Sequence, residues 1–231
     1  MRQLALGVRL RERATFDTFV VADNAQAVSQ VRGIAELTSI NVRVAWLCGA
    51  SGSGKTHLLQ AACAAAAAKG QRAAYIPLEE CIALGAGVLD GIADIDLLCI
   101  DSVAAAAGLA EFELALFGIF RDREERAARW LLAARSPPSL VSFALRDLGS
   151  RLAALPIFQL RELDDEQQLQ ALQQRASLRG FELPRETALY LQRHLPRDMH
   201  SMMNVLDRLD DAALEAQRRI TVPFIREVLE R

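Results

Sequence analysis

The chain has 231 residues, 52% of them hydrophobic, which is enough for one large domain or a medium one joined to a small one. Lys and Arg number 27 against 29 Asp and Glu, and the formal net charge of −2 excludes a generally basic nucleic-acid binder while leaving room for a local basic patch. The amino terminus lacks a signal-type apolar stretch and no 18-residue apolar run occurs, so a soluble, cytoplasmic protein without membrane partners is expected.

Residues 1–14 interleave apolar residues with arginines and read as a tail. Thr15 to Val21 reads as an extended segment anchored by Phe16 and Phe19, after which Asp23 or Asn24 caps a helix running towards Leu37. A first strand is predicted over Val42 to Cys48 and a helix over His57 to Lys69. The alanine run Ala64 to Ala68 continues that helix and Gly70 stops it. Ala73 to Ile76 is a second short strand, followed by an Ala- and Leu-rich helix broken at Gly85 and Gly87. Asp96 to Ile100 is a continuous apolar run ending at Asp101, the pattern of a strand covered on both faces of a parallel sheet. A helix over Leu109 to Arg126, a strand over Trp130 to Ala134, the Pro137-Pro138 break, a short helix over Leu145 to Leu152 and a fifth strand over Ile157 to Leu160 complete an alternating α/β pattern. Beyond Leu163 the pattern is all-helical. Asp164 or Asp165 caps a helix to Arg179, Pro184 opens one to His194, and Asp198 to Arg218 and Val222 to Leu229 follow. The predicted domains are 1–14, 15–162 and 163–231.

Between the first strand and its helix stands Gly49-Ala50-Ser51-Gly52-Ser53-Gly54-Lys55-Thr56, a phosphate-binding loop of the form G-x-x-x-x-G-K-[ST], and with the following His57 it is expected to bind the nucleotide. Its glycines let successive backbone N–H groups approach phosphate oxygens, and the helix behind adds its positive end. Lys55 would bridge the β and γ phosphates and the Thr56 hydroxyl would ligate Mg²⁺. Lys55 and Lys69 are the only lysines in a chain that otherwise uses Arg, which suggests a need for a compact ammonium at position 55. Asp101, at a strand end, is placed for the acid associated with Mg²⁺. The next residue, Ser102, has no base strength, so nucleotide binding is better supported than efficient hydrolysis. Arg135 or Ser136 stands where a γ-phosphate sensor would. Cys48, Cys63, Cys81 and Cys99 show no C-x-x-C spacing and read as small hydrophobes. His57, His194 and His200 lack ligand-like spacing, so no metal other than Mg²⁺ is expected.

The stretches ATFDTFVV, GASGSGKTHLLQA, LLCIDSV, DLGSRL, LQALQQRASLRGFELPRETALYL and LPRDM, spread over the whole chain, resemble the AAA+ module of the bacterial replication initiator DnaA, and within that family the Hda proteins that inactivate DnaA. The resemblance implies an AAA+ P-loop NTPase fold, a five-stranded parallel sheet in the order 5-1-4-3-2, and a C-terminal helical lid. It also implies that Arg151 is an arginine finger acting in trans, that Arg197 is a lid arginine facing ADP or ATP, and that Phe16 and Val20 lie beside the adenine. Gln3, Leu4 and Leu6 resemble the short peptide with which Hda binds the sliding clamp of the replicative polymerase, and Gly7-Val8 departs from the commoner apolar pair. His200 stands where relatives carry a second lid arginine. The chain stops at Arg231 without the helix-turn-helix domain by which DnaA reads duplex sites, so no direct sequence-specific DNA binding is expected.

Three readings follow. The first is a nucleotide-bound regulator, clamp-tethered and so nucleoid-associated, that makes DnaA hydrolyse its ATP. The second is an initiator or helicase loader hydrolysing its own ATP. The third, a small-molecule P-loop kinase, is disfavoured because its lid would be inserted within the sheet order. Self-association is left open by the sequence.

Overall fold

The computed structural model describes residues 14–38, 42–92, 95–195, 199–216 and 221–229. Contacts divide the chain into two compact units, a first reaching Ala50 and resuming from Gly54 to Arg161, and a second of Ser51–Ser53 and the chain from Glu162 onward.

In the first unit α1 (Ala25–Glu36), β1 (Val44–Cys48), α2 (Lys55–Ala68), β2 (Ala73–Pro77), α3 (Leu78–Cys81), β3 (Leu97–Asp101), α4 (Ala110–Glu125), β4 (Arg129–Ala134), α5 (Arg146–Ala153) and β5 (Ile157–Gln159) follow in chain order. All strand pairs are parallel, in the order β2-β3-β4-β1-β5. That is the expected 5-1-4-3-2 read from the other edge. Because side chains alternate across a strand, each central strand feeds two cores. Ala45, Leu47, Cys99, Leu131 and Ala133 pack with α1, α2, Phe16 and Phe19. Trp46, Leu98, Ile100, Trp130 and Leu132 pack on the opposite face with α4 and α5. The alanines of α2 have a structural use: Ala61, Ala62 and Ala66 are buried, so the helix lies close on the sheet with little side-chain bulk. All four cysteines are buried and free. The parallel register brings Cys48, Asp101 and Ala134 to one rim, where loops after the strands can converge.

Three local expectations are corrected. Thr15–Phe19 is a turn, closed by Thr18 N–H to Thr15 O and Phe19 N–H to Phe16 O, both 3.3 Å, and not an extended segment. Neither Asp23 nor Asn24 caps a long helix. A 3₁₀ turn over Ala22–Asn24 leads into α1 with no side-chain cap, and the Asn24 amide is engaged with the Arg161 backbone in both directions, at 3.0 and 2.8 Å. The helix expected after β2 is reduced to the single turn α3 and two 3₁₀ turns separated at Gly85.

The second unit contains α6 (Asp165–Leu178), α7 (Arg185–His194), α8 (Met199–Ala216) and α9 (Val222–Leu229). Asp164 caps α6 with a reciprocal box: Gln167 N–H donates to the Asp164 carboxylate at 2.8 Å, and Asp164 N–H to the Gln167 side chain at 2.9 Å. Its own core holds Leu172, Leu191, Met202, Leu206, Leu209 and Ile225. No helix among the described residues is long and apolar enough to cross a membrane.

Candidate functional site

Where β1 runs out, Gly49, Gly52 and Gly54 take φ of 156°, 80° and 96°. Gly54 is required twice over, because its φ disfavours any side chain and a Cβ built there would lie 2.5 Å from Phe19 Cε2. Lys55 opens α2 behind Gly54, which supplies no side-chain cap, so the positive end of a 14-residue helix faces the loop. The Lys55 ammonium donates to Gly49 O at 2.8 Å and Ala50 O at 2.7 Å, holding it at the mouth of its own loop.

The Thr56 hydroxyl donates to Asp101 Oδ2 at 2.6 Å, and Asp101 is 6% exposed. The same Oδ2 accepts the Tyr75 hydroxyl at 3.0 Å, and Oδ1 accepts Ser102 N–H at 2.8 Å. Burial, then the charge and hydrogen bond of Asp101, push the Tyr75 phenol well above its ordinary range, so it remains a donor. Ser102 has left-handed backbone angles, φ 54° and ψ 40°, uncommon for a residue with a side chain. A hydroxyl and a buried carboxylate at this spacing, beside a glycine-lined helix start and one ammonium, fit Mg²⁺ and a polyphosphate.

His57, also on α2, turns elsewhere. Its Nε2 lies 2.9 Å from Thr15 O and 3.2 Å from Thr18 Oγ1, and its ring stands edge-on to Phe19 at 5.4 Å. A carbonyl can only accept, so Nε2 carries the proton, and His57 ties the Thr15–Phe19 turn to α2. Phe16 is buried in the first core with the Arg32 guanidinium 4.9 Å from its ring centre, and Val20 is half-buried. Gly49 N–H donates to Arg135 O at 3.2 Å and the Trp46 indole to Ser136 O at 3.0 Å, which fixes the end of β4 beside the start of the loop.

Arg151 lies in the last turn of α5. Its Nη1 is 2.7 Å from Glu124 Oε2, and its guanidinium stands 5.6 and 5.5 Å from the ring centres of Phe117 and Phe120, all three on α4. The structure therefore brings Gly49, Ala50, Gly54, Lys55, Thr56 and Asp101 to one rim, and places Arg151 apart from them on a helix surface. Gln3, Leu4, Leu6 and Arg197 lie outside the described residues.

Sequence reasoning missed Tyr75 and Glu113. The second had a signal: Glu113, Leu116, Phe120 and Arg123 recur at helical spacing and form one buried stripe of α4, so an acid and a base stand where apolar residues belong. Glu113 accepts backbone N–H groups from Gly108, Ala144 and Leu145 at 2.7, 2.9 and 2.6 Å. Arg123 donates to the carbonyls of Ile95, at 3.1 Å, and Arg129. Burial brings the Arg123 guanidinium down to about 10.

Comparison with known proteins adds a family to this geometry. A family model of the bacterial DnaA ATPase domain matches residues 10–155, and one of the Hda lid domain matches residues 165–229. Domain III of the replication initiation protein DnaA of Thermotoga maritima is similar, with a TM-score of 0.77 at 21% identity over 94% of this chain and 95% of that one. AMPPCP-bound DnaA from Aquifex aeolicus gives 0.67 at 23% identity over 84% of this chain and 63% of that one. The RuvB Holliday junction branch migration motor of T. maritima gives 0.62 at 18% identity over 96% and 72%.

Proposed function

This chain belongs to the bacterial DnaA ATPase family as an Hda-type AAA+ member, and from that premise we propose that it is a regulator of replication initiation which, holding an adenine nucleotide of its own, drives hydrolysis of DnaA-bound ATP. The observation that carries this reading is a phosphate cradle whose acid, Asp101, is followed by Ser102 and not by a second carboxylate, in a chain that displays Arg151 on a separate helix.

The backbone of residues 49–56 with Lys55 would hold the phosphates of ADP or ATP, and Thr56 with Asp101 would hold Mg²⁺. Bound there, Mg²⁺ would neutralise phosphate charge. The chain's own residues do the rest. Lys55 exchanges two carbonyl acceptors for phosphate oxygens, and Tyr75 and the Ser102 amide keep Asp101 oriented when Thr56 turns away from it. Ser102 cannot orient a water as a carboxylate does, so turnover of the chain's own nucleotide is slow. Arg151 would leave α4 and place its fixed planar charge against the γ phosphate held by DnaA. Such fingers are worth about 10³–10⁵ in rate in other P-loop enzymes. The Gln3-Leu4-Ala5-Leu6 segment would tether the chain to the sliding clamp on DNA, giving a cytoplasmic, nucleoid-associated protein.

The test is DnaA-bound ATP hydrolysis with and without this protein and DNA-loaded clamp. Arg151→Ala should keep nucleotide and clamp binding while losing stimulation, and Arg146→Ala serves as control. Stimulation by Arg151→Ala equal to wild type removes the finger from this residue. Rapid hydrolysis by the isolated chain favours the alternative, an initiator or helicase loader working on its own ATP.

A further inference from the structure

The start of α5 is built without any cap of its own. Leu145 is its N-cap residue and its side chain offers no acceptor, so the helix carrying Arg151 has no local device fixing where it begins. That device is borrowed from α4. Glu113, 1% exposed, accepts Ala144 N–H on Oε1 and Leu145 N–H on Oε2, at 2.9 and 2.6 Å, immediately ahead of Arg146. Oε1 also accepts Gly108 N–H at 2.7 Å, from the turn that leads into α4 itself. A buried carboxylate with three backbone donors is satisfied only where both segments converge on it, and its charge sits at the positive end of α5.

Position along α4 then has a consequence for the finger. Glu113 stands in the first turn of α4, and Phe117, Phe120 and Glu124 follow on it at helical spacing. Glu113 fixes the start of α5, and the later three meet Arg151 at its end. Leu148 and Leu152, fully buried between these ends, hold the inner face of α5 but are apolar and tolerate sliding or rotation better than directed hydrogen bonds do.

We propose that Glu113 is a positioning residue for Arg151, setting the start and rotation of α5 and hence where the guanidinium is presented to a nucleotide held by another molecule. This rests on the functional reading above. A displacement of the order of 1 Å at a reacting centre costs about a hundredfold in rate, so a mispositioned finger shows in the maximal rate and not in docking.

The experiment uses the full chain as Glu113→Ala and Glu113→Gln, titrated into DnaA-bound ATP with DNA-loaded clamp, with nucleotide affinity and amide exchange measured on the same preparations. Glu113→Ala should lower the maximal stimulated rate by about ten- to a hundredfold, with the half-maximal concentration and the chain's own nucleotide affinity within about threefold of wild type. Glu113→Gln keeps one oxygen acceptor and should recover part of that rate, and exchange should accelerate at the start of α5 in both variants. A wild-type chain that gives no stimulation overturns the functional reading. A stimulating wild type matched by Glu113→Ala overturns this inference alone. Parallel loss of nucleotide affinity in both variants assigns Glu113 a merely structural role and likewise overturns it.

Discussion

The contact between Arg151 and Glu124 makes a quantitative demand. A finger that acts on a nucleotide in another molecule has to leave the acid it rests on, so replacing Glu124 by Gln should make it easier to use. The pair is close, at 2.7 Å, but the Arg151 and Glu124 side chains are 43% and 61% exposed. Solvent screening then limits such a pair to roughly 0.2–1 kcal/mol, which corresponds to about a 1.4- to 5-fold change in the released population. The rings of Phe117 and Phe120 remain beneath the guanidinium in the variant, so release is eased and not made complete. Glu124→Gln should therefore raise the initial rate of DnaA-bound ATP hydrolysis by up to about fivefold at low salt. Because the pair is exposed, the gap to wild type should close as ionic strength rises and screening shortens. The rate is measured with the chain subsaturating and again in excess. A fall in rate on Glu124→Gln, or a gain that survives high salt, refutes the idea that the acid restrains the finger electrostatically.

Other outcomes are expected. Lys55→Ala should weaken adenine-nucleotide binding about tenfold or more, since a charge-assisted contact contributes roughly 1.5–3 kcal/mol; equal affinity by calorimetry removes the phosphate cradle from the argument. Gly54→Ala combines a left-handed φ with a Cβ 2.5 Å from Phe19, so thermal melting should report a loss of about 1–3 kcal/mol, and an unchanged melt tells against the close approach. The Glu113 carboxyl is held below its ordinary range: burial opposes ionisation, but the N–H groups of Leu145, Ala144 and Gly108 outweigh it. Its stabilisation is therefore full above the ordinary glutamate value and lost as the pH falls through the lowered one. The stability gap between wild type and Glu113→Gln should narrow below about pH 4.3, and a gap constant down to acid pH contradicts the ionised assignment. Deleting residues 1–8 should abolish clamp pull-down, and retention of the clamp places the tether elsewhere.

The fold was legible where the signal was local and repeated. Central strands such as Leu97–Asp101 are apolar on both faces, and the helices between them carry their own periodicity, so element type followed from composition while strand order came from resemblance. What failed were segments whose partners are remote in the chain. Asn24 has the chemistry of a cap, yet it is taken by the Arg161 backbone 137 residues away, a pairing that only the folded chain brings about. The Thr15–Phe19 turn depends on His57 in the same way. In the site, the glycine-rich loop was readable because its chemistry is contiguous. Tyr75 and Glu124 were not, since their roles exist only after β2 meets β3 and α4 meets α5, and Glu113 gave only the signal of an acid at the spacing of a buried stripe.

One arrangement invisible to the motif bears on the choice between regulator and motor. The position after Asp101 is used through its backbone: Ser102 adopts a left-handed conformation and directs its amide to Asp101 Oδ1, while Tyr75 and Thr56 converge on Oδ2. Even after Thr56 turns to a metal, two donors would still hold this carboxylate and fix its orientation. A residue held in a sparsely populated backbone region has its cost offset by what surrounds it, and here the surroundings fix an acid. With no carboxylate at position 102 and Asp101 held in this way, slow turnover of the chain's own nucleotide and a catalytic contribution made through Arg151 are the outcomes that the proposed regulator predicts.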